Sequence, residues 1–223
     1  MTPPIQQIIS AVAEQPPVRT SVEPRLVVPA NQESLLRDGG ASYLADFISP
    51  DEESNLLSAI DTEQWRGDLQ RRVQHYGYRY DYTARHISDE DQLGLLPSWV
   101  KSVCTRLVQK KIFVAEPDQL IVNEYEPGQG IAPHIDRDCF GPVIASLSLG
   151  SDCMMKIIPN GKCKAGEFDI VLQRRSLVVF KGVSREVWQH SIALRKNDKQ
   201  NGRKISRKRR VSLTFRTVVR KSA

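Results

Sequence analysis

Three residues in the second half of the chain have side chains that could together hold a metal ion. His134 and Asp136 stand two positions apart in a strand-like segment, where side chains at such spacing point to the same side. The chain has only four histidines, and His190 lies in a second β-type run at 187–192. Two imidazoles and one carboxylate leave open coordination positions, as in non-haem iron(II) oxygenases, although zinc accepts the same ligands. H-x-D alone also fits a surface hydrogen bond between the two side chains.

The run 210–216 near the C-terminus predicts a second polar face on a strand. This face would carry Arg210, Ser212, Thr214 and Arg216, with apolar residues between them. Two buried arginines are unfavourable unless they meet an anion. A dicarboxylate would satisfy them through charge-assisted hydrogen bonds worth roughly 1.5–3 kcal/mol each. The alternative is an exposed face whose arginines extend the neighbouring basic segment.

The positive charge of the chain is concentrated in residues 195–210. This segment has nine Lys and Arg residues against one Asp, whereas the whole chain has a formal net charge of +6. A local basic segment is typical of a surface that contacts a polyanion, and nucleic acid is the leading candidate. The alternative is a solvated loop that binds nothing.

Tyrosines occupy every second position from 76 to 82 and would share one face if this run is a strand. Together with nearby arginines, they suggest a lid that stacks on bases and holds phosphates. The substrate contacts would then include Tyr76, Tyr78 and Arg79. An edge strand that uses tyrosine for packing is the alternative.

The elements that must position these residues change in type along the chain. Residues 1–40 are rich in Pro, Gln, Ser and Val, so we expect an extended or disordered tail before a domain at 41–223. Ser49, Pro50 and Glu52 form a helix start with a capping box, and a second helix fits 96–112. Short β-type runs follow residue 118, separated by Pro, Gly and Asn. This order predicts an α+β, mainly β fold, an antiparallel sandwich or jelly roll with the N-terminal helices packed outside.

The bulk properties fit one domain. The chain has 223 residues with 40% hydrophobic content, no apolar run of membrane-spanning length and no secretory signal pattern at its start. We expect a monomer without membrane association, in the cytoplasm or, in a eukaryote, also the nucleus. The four cysteines form no C-x-x-C pair and are expected to be reduced thiols.

Taken together, the motifs resemble those of the AlkB family of iron(II)- and 2-oxoglutarate-dependent dioxygenases. The matching segments are N-x-Y at 123–125, P-G-Q-G-I at 127–131, H-x-D at 134–136, S-L-S-L-G-S at 146–151, His190 and R-x-S-x-T-F-R at 210–216. The resemblance implies a double-stranded β-helix, with iron(II) held by His134, Asp136 and His190 and no further catalytic side chain. It implies that 2-oxoglutarate is held by Asn123, Tyr125, Arg210, Ser212 and Arg216, with Arg210 at the distal carboxylate.

The same resemblance implies hydroxylation of a C–H bond, after which a hydroxylated N-methyl group leaves as formaldehyde. It is closest to the branch that hydroxylates a wobble uridine in tRNA, through R-V-Q-H-Y-G-Y at 72–78 and P-D-Q at 117–119. Asp138 is similar instead to an acidic residue of repair-type members that contacts the damaged base, unless it only stabilises a turn.

The leading function is therefore oxidative demethylation or hydroxylation of nucleic-acid bases, of the kind that repairs alkylated DNA or RNA, acting on bases that are single-stranded or flipped. Wobble-uridine hydroxylation in tRNA is one alternative. The others are the same chemistry on a protein or small molecule, and a catalytically silent nucleic-acid-binding module.

Overall fold

The structure, a computed structural model, describes residues 25–67, 69–159 and 166–219. Its helices are α1 (Gln32–Asp38), α2 (Pro50–Thr62), α3 (Lys101–Gln109) and α4 (Val183–Glu186). Its strands are β1 (Ser42–Leu44), β2 (Val73–Tyr76), β3 (Gln119–Tyr125), β4 (Ile131–His134), β5 (Val143–Leu149), β6 (Cys153–Ile158), β7 (Phe168–Leu172), β8 (Leu177–Lys181), β9 (Gln189–Ile192), β10 (Asn197–Gln200), β11 (Arg203–Ser206) and β12 (Arg210–Arg216).

A six-stranded antiparallel sheet forms the centre of the domain, in the order β1-β8-β5-β12-β3-β2. The apolar side chains of β12, including Leu213 and Phe215, lie on its outer face and pack with Ile60 of α2 and Leu107 of α3. A strand with an apolar residue at every second position buries one whole face in this way. The helices therefore cover the outside of this sheet, as predicted.

Helix α2 begins where the sequence predicts. The Ser49 hydroxyl accepts a hydrogen bond from the Glu52 backbone N–H at 3.1 Å, and the Glu52 carboxylate accepts one from the Ser49 N–H at 2.8 Å. The second helix is shorter than the predicted 96–112. A 3₁₀ turn at Ser98–Val100 precedes α3, and the chain leaves the helical region at Lys111, where φ is 57°. Pro97 prevents an earlier start because the residue before a proline avoids helical angles.

A second antiparallel sheet, β4-β9-β6-β7, packs against the inner face of the first. The core between the sheets includes Ile157 and Ile170 from the second sheet, and Ile144 and Phe180 from the first. Two facing antiparallel sheets with helices outside form the mainly β jelly roll expected from the sequence. Among the described residues, no helix has the length and apolarity needed to cross a bilayer.

Residues 25–40 differ from the extended tail expected for positions 1–40. They contain α1, and Leu26 and Leu36 are buried. The Gln32 side-chain amide donates to the Val171 carbonyl at 3.0 Å and accepts from the Val171 N–H at 2.7 Å, which attaches α1 to β7. The proline content concealed these apolar anchors, while residues 1–24 of the predicted tail lie outside the described residues.

The basic segment contains a hairpin instead of the loop that the charge pattern allowed. Strands β10 and β11 pair in antiparallel register around Asn201 and Gly202, whose φ angles are 49° and 76°. A two-residue turn with positive φ at both positions is the turn that Asn-Gly favours.

Strands β4 and β9 bring two of the predicted metal ligands together, because His134 pairs with His190 across the ladder. The approach of these strands is close at Gly130, where a Cβ atom would lie 2.1 Å from the Ile192 carbonyl oxygen. That oxygen belongs to the backbone of β9 and cannot rotate away. Only glycine therefore allows this spacing.

We expect Gly130→Ala to lower the free energy of unfolding by about 1–3 kcal/mol, because the added methyl group must push the two strands apart. Urea denaturation followed by tryptophan fluorescence measures this change. The matched control is Gly67→Ala, where a Cβ atom meets nothing within 4 Å and we expect a change within about 0.5 kcal/mol. Equal unfolding midpoints for the two variants would contradict the close approach of β4 and β9.

Candidate metal centre

His134, Asp136 and His190 form a cluster in which one ligand atom from each residue lies within 4.8 Å of the others. His134 ends β4, Asp136 follows in the adjoining loop, and His190 lies in β9 between β4 and β6. Ile135 lines the cavity beside them, so it is not packed away from the site as the strand pattern predicts. Two imidazoles and one carboxylate on one side of a site are the facial set of non-haem iron(II) oxygenases. The donor set and its spacing fit an iron(II) ion.

The Asp136 carboxylate is buried and is paired with Arg216 at the end of β12. The Nε and Nη2 atoms of Arg216 both donate to Oδ1, at 3.0 and 2.6 Å. Burial opposes ionisation, but the positive charge and hydrogen bonds of Arg216 hold the pKa of Asp136 well below its usual range. Because Arg216 takes only Oδ1, Oδ2 remains directed at the histidines and lies 3.7 Å from His190 Nε2. Asp136 thus presents one ionised oxygen to a metal.

The two imidazoles are held in states that allow metal binding. The Nδ1 atom of His134 lies 2.8 Å from the Ala132 carbonyl oxygen, which can only accept, so Nδ1 carries the proton and Nε2 is free to coordinate. Burial and the neighbouring His134 lower the pKa of His190 to about 4, which keeps this imidazole neutral near pH 7. The ring of Phe180 stacks on His190 at 5.1 Å between centroids and fixes its orientation.

Arg185 of α4 is buried and fixes the loop that follows β4. Its guanidinium donates to the carbonyl oxygens of Asp136 at 2.8 Å, Arg137 at 2.6 Å, Phe140 at 3.1 Å and Gly141 at 3.2 Å. Guanidinium groups remain protonated in proteins, so these four carbonyls share one positive charge. Arg185 therefore positions Asp136 through its backbone. The sequence offers no signal for this role.

A cavity of about 610 Å³ lies beside the cluster. The predicted cosubstrate residues line it: Asn123, Tyr125, Arg210, Ser212 and Arg216. Arg210 is buried, lies over the Tyr125 ring at 5.4 Å and donates from Nη2 to the Ser148 hydroxyl at 2.7 Å. Its Nε and Nη1 groups are buried without a hydrogen-bond partner among the described residues. Such unsatisfied donors are costly and fit a carboxylate that binds at this position. The Arg210 environment therefore fits 2-oxoglutarate.

The other predicted cosubstrate residues have contacts within the protein. Arg216 donates hydrogen bonds to Asp136. The Asn123 amide oxygen accepts a hydrogen bond from Arg71 Nε at 2.9 Å, and the hydroxyl groups of Ser212 and Ser146 form a hydrogen bond at 2.8 Å. All of them still line the cavity. Their contacts with a cosubstrate stay a prediction.

The residues predicted to bind substrate lie away from this cavity. Tyr76 packs on the helix side against Trp99, and Tyr78 is buried in the core between the sheets. Arg79 forms an ion pair with Asp91 at 2.9 Å, and Asp138 is exposed and does not line the cavity. The predicted tyrosine face fails because β2 ends at Tyr76 and Gly77 turns the chain with φ of 77°.

Other residues of the same region do line the cavity. Tyr80 and Tyr82 lie at its rim together with Arg71, Arg85 and Arg137. The rings of Tyr80 and Tyr82 meet edge to face at 5.1 Å, and the Tyr82 hydroxyl lies 3.4 Å from His75 Nε2. The sequence thus predicted that tyrosines and arginines of this region contact the substrate. It did not identify which of these residues lie at the cavity.

Several basic residues of 195–210 are used inside the protein. Arg207 is buried and forms a two-pronged pair with buried Asp198, with both N–O distances at 2.8 Å. Arg209 pairs with Glu124 at 2.6 Å and also with Asp61, while Arg210 faces the cavity. These three arginines are therefore not available to phosphates, contrary to the prediction for the whole segment.

Comparisons with known proteins indicate the family to which this chain belongs. Residues 40–216 match the family described as the 2OG-Fe(II) oxygenase superfamily. Uncharacterized protein L905 of Acanthamoeba polyphaga mimivirus is 39% identical over 186 residues, which cover 81% of this chain and 86% of that protein. The alkylated DNA repair protein ALKBH8 homolog of Arabidopsis thaliana is 36% identical, covering 83% of this chain but 60% of that protein.

A further relative is the tRNA (carboxymethyluridine(34)-5-O)-methyltransferase alkbh8 of Xenopus tropicalis, which is 37% identical over 71% of this chain. The chain spans only 26% of that protein. Among solved structures, OsALKBH1 superposes with a TM-score of 0.61 at 19% identity, covering 80% of this chain and 97% of that one. The structural likeness concerns the fold.

We expect Arg185→Met to weaken metal binding about 10–100-fold, because Asp136 loses the support of its backbone carbonyl. Titration with Mn(II), which is stable in air, measures the dissociation constant by calorimetry. The matched control is Arg106→Met, which removes a half-buried arginine that contacts the Phe47 carbonyl and pairs with Glu52, away from the cluster. This control should destabilise the fold and leave metal affinity unchanged. Equal metal affinity in wild type and Arg185→Met would contradict the positioning role.

Proposed function

The chain belongs to the 2OG-Fe(II) oxygenase superfamily as an AlkB-like dioxygenase that uses Fe(II) and 2-oxoglutarate, and on this premise we propose that it hydroxylates the C5 side chain of a wobble uridine in tRNA. The reaction consumes O₂ and 2-oxoglutarate and releases succinate and CO₂, with one oxygen atom entering a C–H bond of the substrate. This substrate class replaces the alkylated bases that the sequence motifs put first.

The charge around the cavity supports this choice. Three arginines at the rim, Arg71, Arg85 and Arg137, face a space in which Asp136 is the sole acidic lining residue among those described. Asp136 is already paired with Arg216. Bases methylated at N1 of adenine or N3 of cytosine carry a positive charge, and like charges 8 Å apart repel by about 2 kcal/mol at an effective dielectric constant near 20. A neutral or anionic base is favoured by this environment.

Asp138 does not supply the missing negative charge, because its side chain is exposed and outside the cavity lining. It is the residue by which the sequence resembles repair-type enzymes. Without it, a cationic base would meet arginines and tyrosines at the rim and no acidic side chain among the described residues there. This observation carries the proposal.

Two relatives are named for nucleic-acid substrates, and one of these names specifies carboxymethyluridine at position 34 of tRNA. The chain spans a part of these proteins, 60% and 26% of their lengths. Both names support a nucleic-acid substrate. The Xenopus name favours the uridine, whereas the Arabidopsis name specifies alkylated DNA. We propose a cytoplasmic enzyme that acts on RNA as a monomer.

The residues of the chain have separate tasks in this reaction. His134, Asp136 and His190 would hold iron(II), which supplies the oxidising chemistry when it is bound with 2-oxoglutarate. Arg210 would receive the distal carboxylate on its two unsatisfied N–H groups, and Arg216 keeps Asp136 ionised. Tyr80 and Tyr82 offer aromatic faces at the rim on which an unstacked base can lie. Apolar side chains, including Ile121, Ile131 and Ile144, line part of the cavity beside these polar groups.

We expect the enzyme to add one oxygen atom to tRNA that carries 5-carboxymethyluridine, or its methyl ester, at position 34. Nucleoside mass spectrometry after incubation with iron(II), 2-oxoglutarate and O₂ measures the product, and His134→Ala is the inactive control. Parallel reactions use single-stranded oligonucleotides with N1-methyladenine or N3-methylcytosine.

Loss of methyl groups from these oligonucleotides, with the uridine unchanged, would overturn the uridine proposal in favour of repair. If neither nucleic acid changes while succinate still forms, the substrate is a protein or a small molecule. Both outcomes leave the dioxygenase chemistry intact.

We expect Arg210→Lys to raise the KM for 2-oxoglutarate about ten- to hundredfold, because lysine keeps the charge but loses one charge-assisted hydrogen bond of roughly 1.5–3 kcal/mol. Succinate formation at varied 2-oxoglutarate concentration measures this change. The neighbouring Arg209→Lys is the matched control, since Arg209 pairs with Glu124 outside the cavity. An unchanged KM in Arg210→Lys would exclude Arg210 as the carboxylate anchor.

A further inference from the structure

We propose that the β10–β11 hairpin is a docking surface for the phosphate groups of folded RNA. The surface is the pair Lys199 and Lys204, here called the basic hairpin face, whose exposed side chains stand opposite each other in the ladder and project from the same side of it. The exposed residues Arg203, next to the turn, and Lys196, just before β10, add positive charge around this pair. The inference rests on the proposed function in so far as the RNA is the molecule whose base enters the cavity. The hairpin would bind nucleotides that flank the target.

The hairpin is held against the domain by contacts of β10 that reach from Asp198 to Gln200, next to the turn. Asp198 is buried and accepts from Arg207 and Arg195, and its carboxylate also accepts from the Met154 backbone N–H at 3.2 Å. The Gln200 side chain forms two hydrogen bonds with the backbone of Val27, at 2.7 and 2.5 Å. These contacts use the inward-facing residues of β10. The orientation of the outward-facing lysines is thereby determined.

The basic hairpin face has no partner within the protein. Neither of its two side chains forms a hydrogen bond or ion pair with the residues that the structure describes, and the same holds for Lys196 and Arg203, although the other arginines of the segment do. Lys199 stands directly opposite Lys204 in the ladder. Like charges at facing positions of an antiparallel pair are destabilising. The domain thus tolerates a local repulsion that an external polyanion would relieve.

The hairpin is connected through short segments to residues that line the cavity. The chain passes from His190 to the start of β10 at Asn197 in seven residues, a span of at most about 25 Å. The loop at 126–130 connects the two regions: Gly128 lies against the Lys196 side chain, and Gln129 donates to the Gln70 carbonyl at 2.6 Å. Gln70 precedes Arg71 at the cavity rim. Basic side chains therefore occur on both sides of this loop.

The composition of the hairpin favours phosphates of RNA over an anionic membrane. Residues 197–206 include one apolar side chain, Ile205, and it is half-buried. A membrane-binding element combines basic residues with exposed large apolar ones, which these strands lack. Lysines without such residues contact phosphates at a distance and through counterion release.

The test compares binding of fluorescently labelled, unmodified tRNA by wild type and by the double variant Lys199→Ser/Lys204→Ser over a series of NaCl concentrations. We expect the variant to bind more weakly and the slope of log Kd against log salt to fall by about 1.4–1.8, as for the loss of two phosphate contacts. Removal of a repelling pair should leave the thermal midpoint equal or higher, so the variant folds.

The matched control is Lys110→Ser/Lys111→Ser, which removes two exposed charges next to the C-terminal end of α3. This control should bind tRNA like wild type. Both double variants should form succinate at the wild-type rate without a nucleic-acid substrate, because neither touches the metal cluster or the cavity.

The outcomes separate this inference from the proposed function. Equal salt slopes for wild type and Lys199→Ser/Lys204→Ser would overturn the docking surface, whether or not the uridine is oxidised. Weaker tRNA binding in this variant alone supports the surface, even if mass spectrometry finds no oxidised uridine. If the variant instead loses binding to phosphatidylserine-containing vesicles and keeps its affinity for tRNA, the surface serves a membrane and the inference is wrong.

Discussion

The negative charge of Asp136 in the interior is the feature around which the site is arranged. A carboxylate taken out of water is costly unless it is paired, and Arg216 provides the pairing from the far end of β12. The register of the central sheet therefore determines whether the charge is compensated. A shift of β12 by one residue would move Arg216 to the helix side and leave Asp136 without its partner. The fold and the chemistry of the site depend on the same strand pairing.

Much of this arrangement follows from the spacing of residues in the sequence. Alternation of polar and apolar residues along 210–216 predicts two different faces of the strand. In the structure the apolar face packs against the helices and the polar face lines the cavity. The capping box at Ser49 fixes the start of α2. His134 and His190 could be paired because the chain has few histidines to choose from. In each case the local spacing of residues, or the small number of candidate residues, was sufficient for a correct prediction.

Other features depend on backbone geometry or on burial, which spacing does not report. The tyrosines from 76 to 82 keep their period of two, but Gly77 ends the strand, so Tyr78 enters the core and Tyr80 reaches the cavity. The Asn201-Gly202 pair is a local signal for a hairpin turn. The dense positive charge around it favoured a solvated loop instead. Arg185 had no signal, since its partners are carbonyl groups that any loop would offer. Arg207 and Lys204 have the same charge, and only burial separates an internal counterion from a surface group.

If Arg210 binds a carboxylate of 2-oxoglutarate as proposed, cosubstrate binding also stabilises the folded chain. Strand β12 is central in the sheet. The Nε and Nη1 groups of its Arg210 are buried and have no hydrogen-bond acceptor among the described residues. The cavity residues come from strands far apart in sequence, so 2-oxoglutarate has a binding site only in the native state. Ligand at a hundredfold excess over its Kd would then add about 2.7 kcal/mol to the stability. When the metabolite is scarce, global opening and backbone hydrogen exchange become more frequent, and cellular proteases encounter the unfolded chain more often. In that case 2-oxoglutarate would act on the stability of the protein as well as on its turnover.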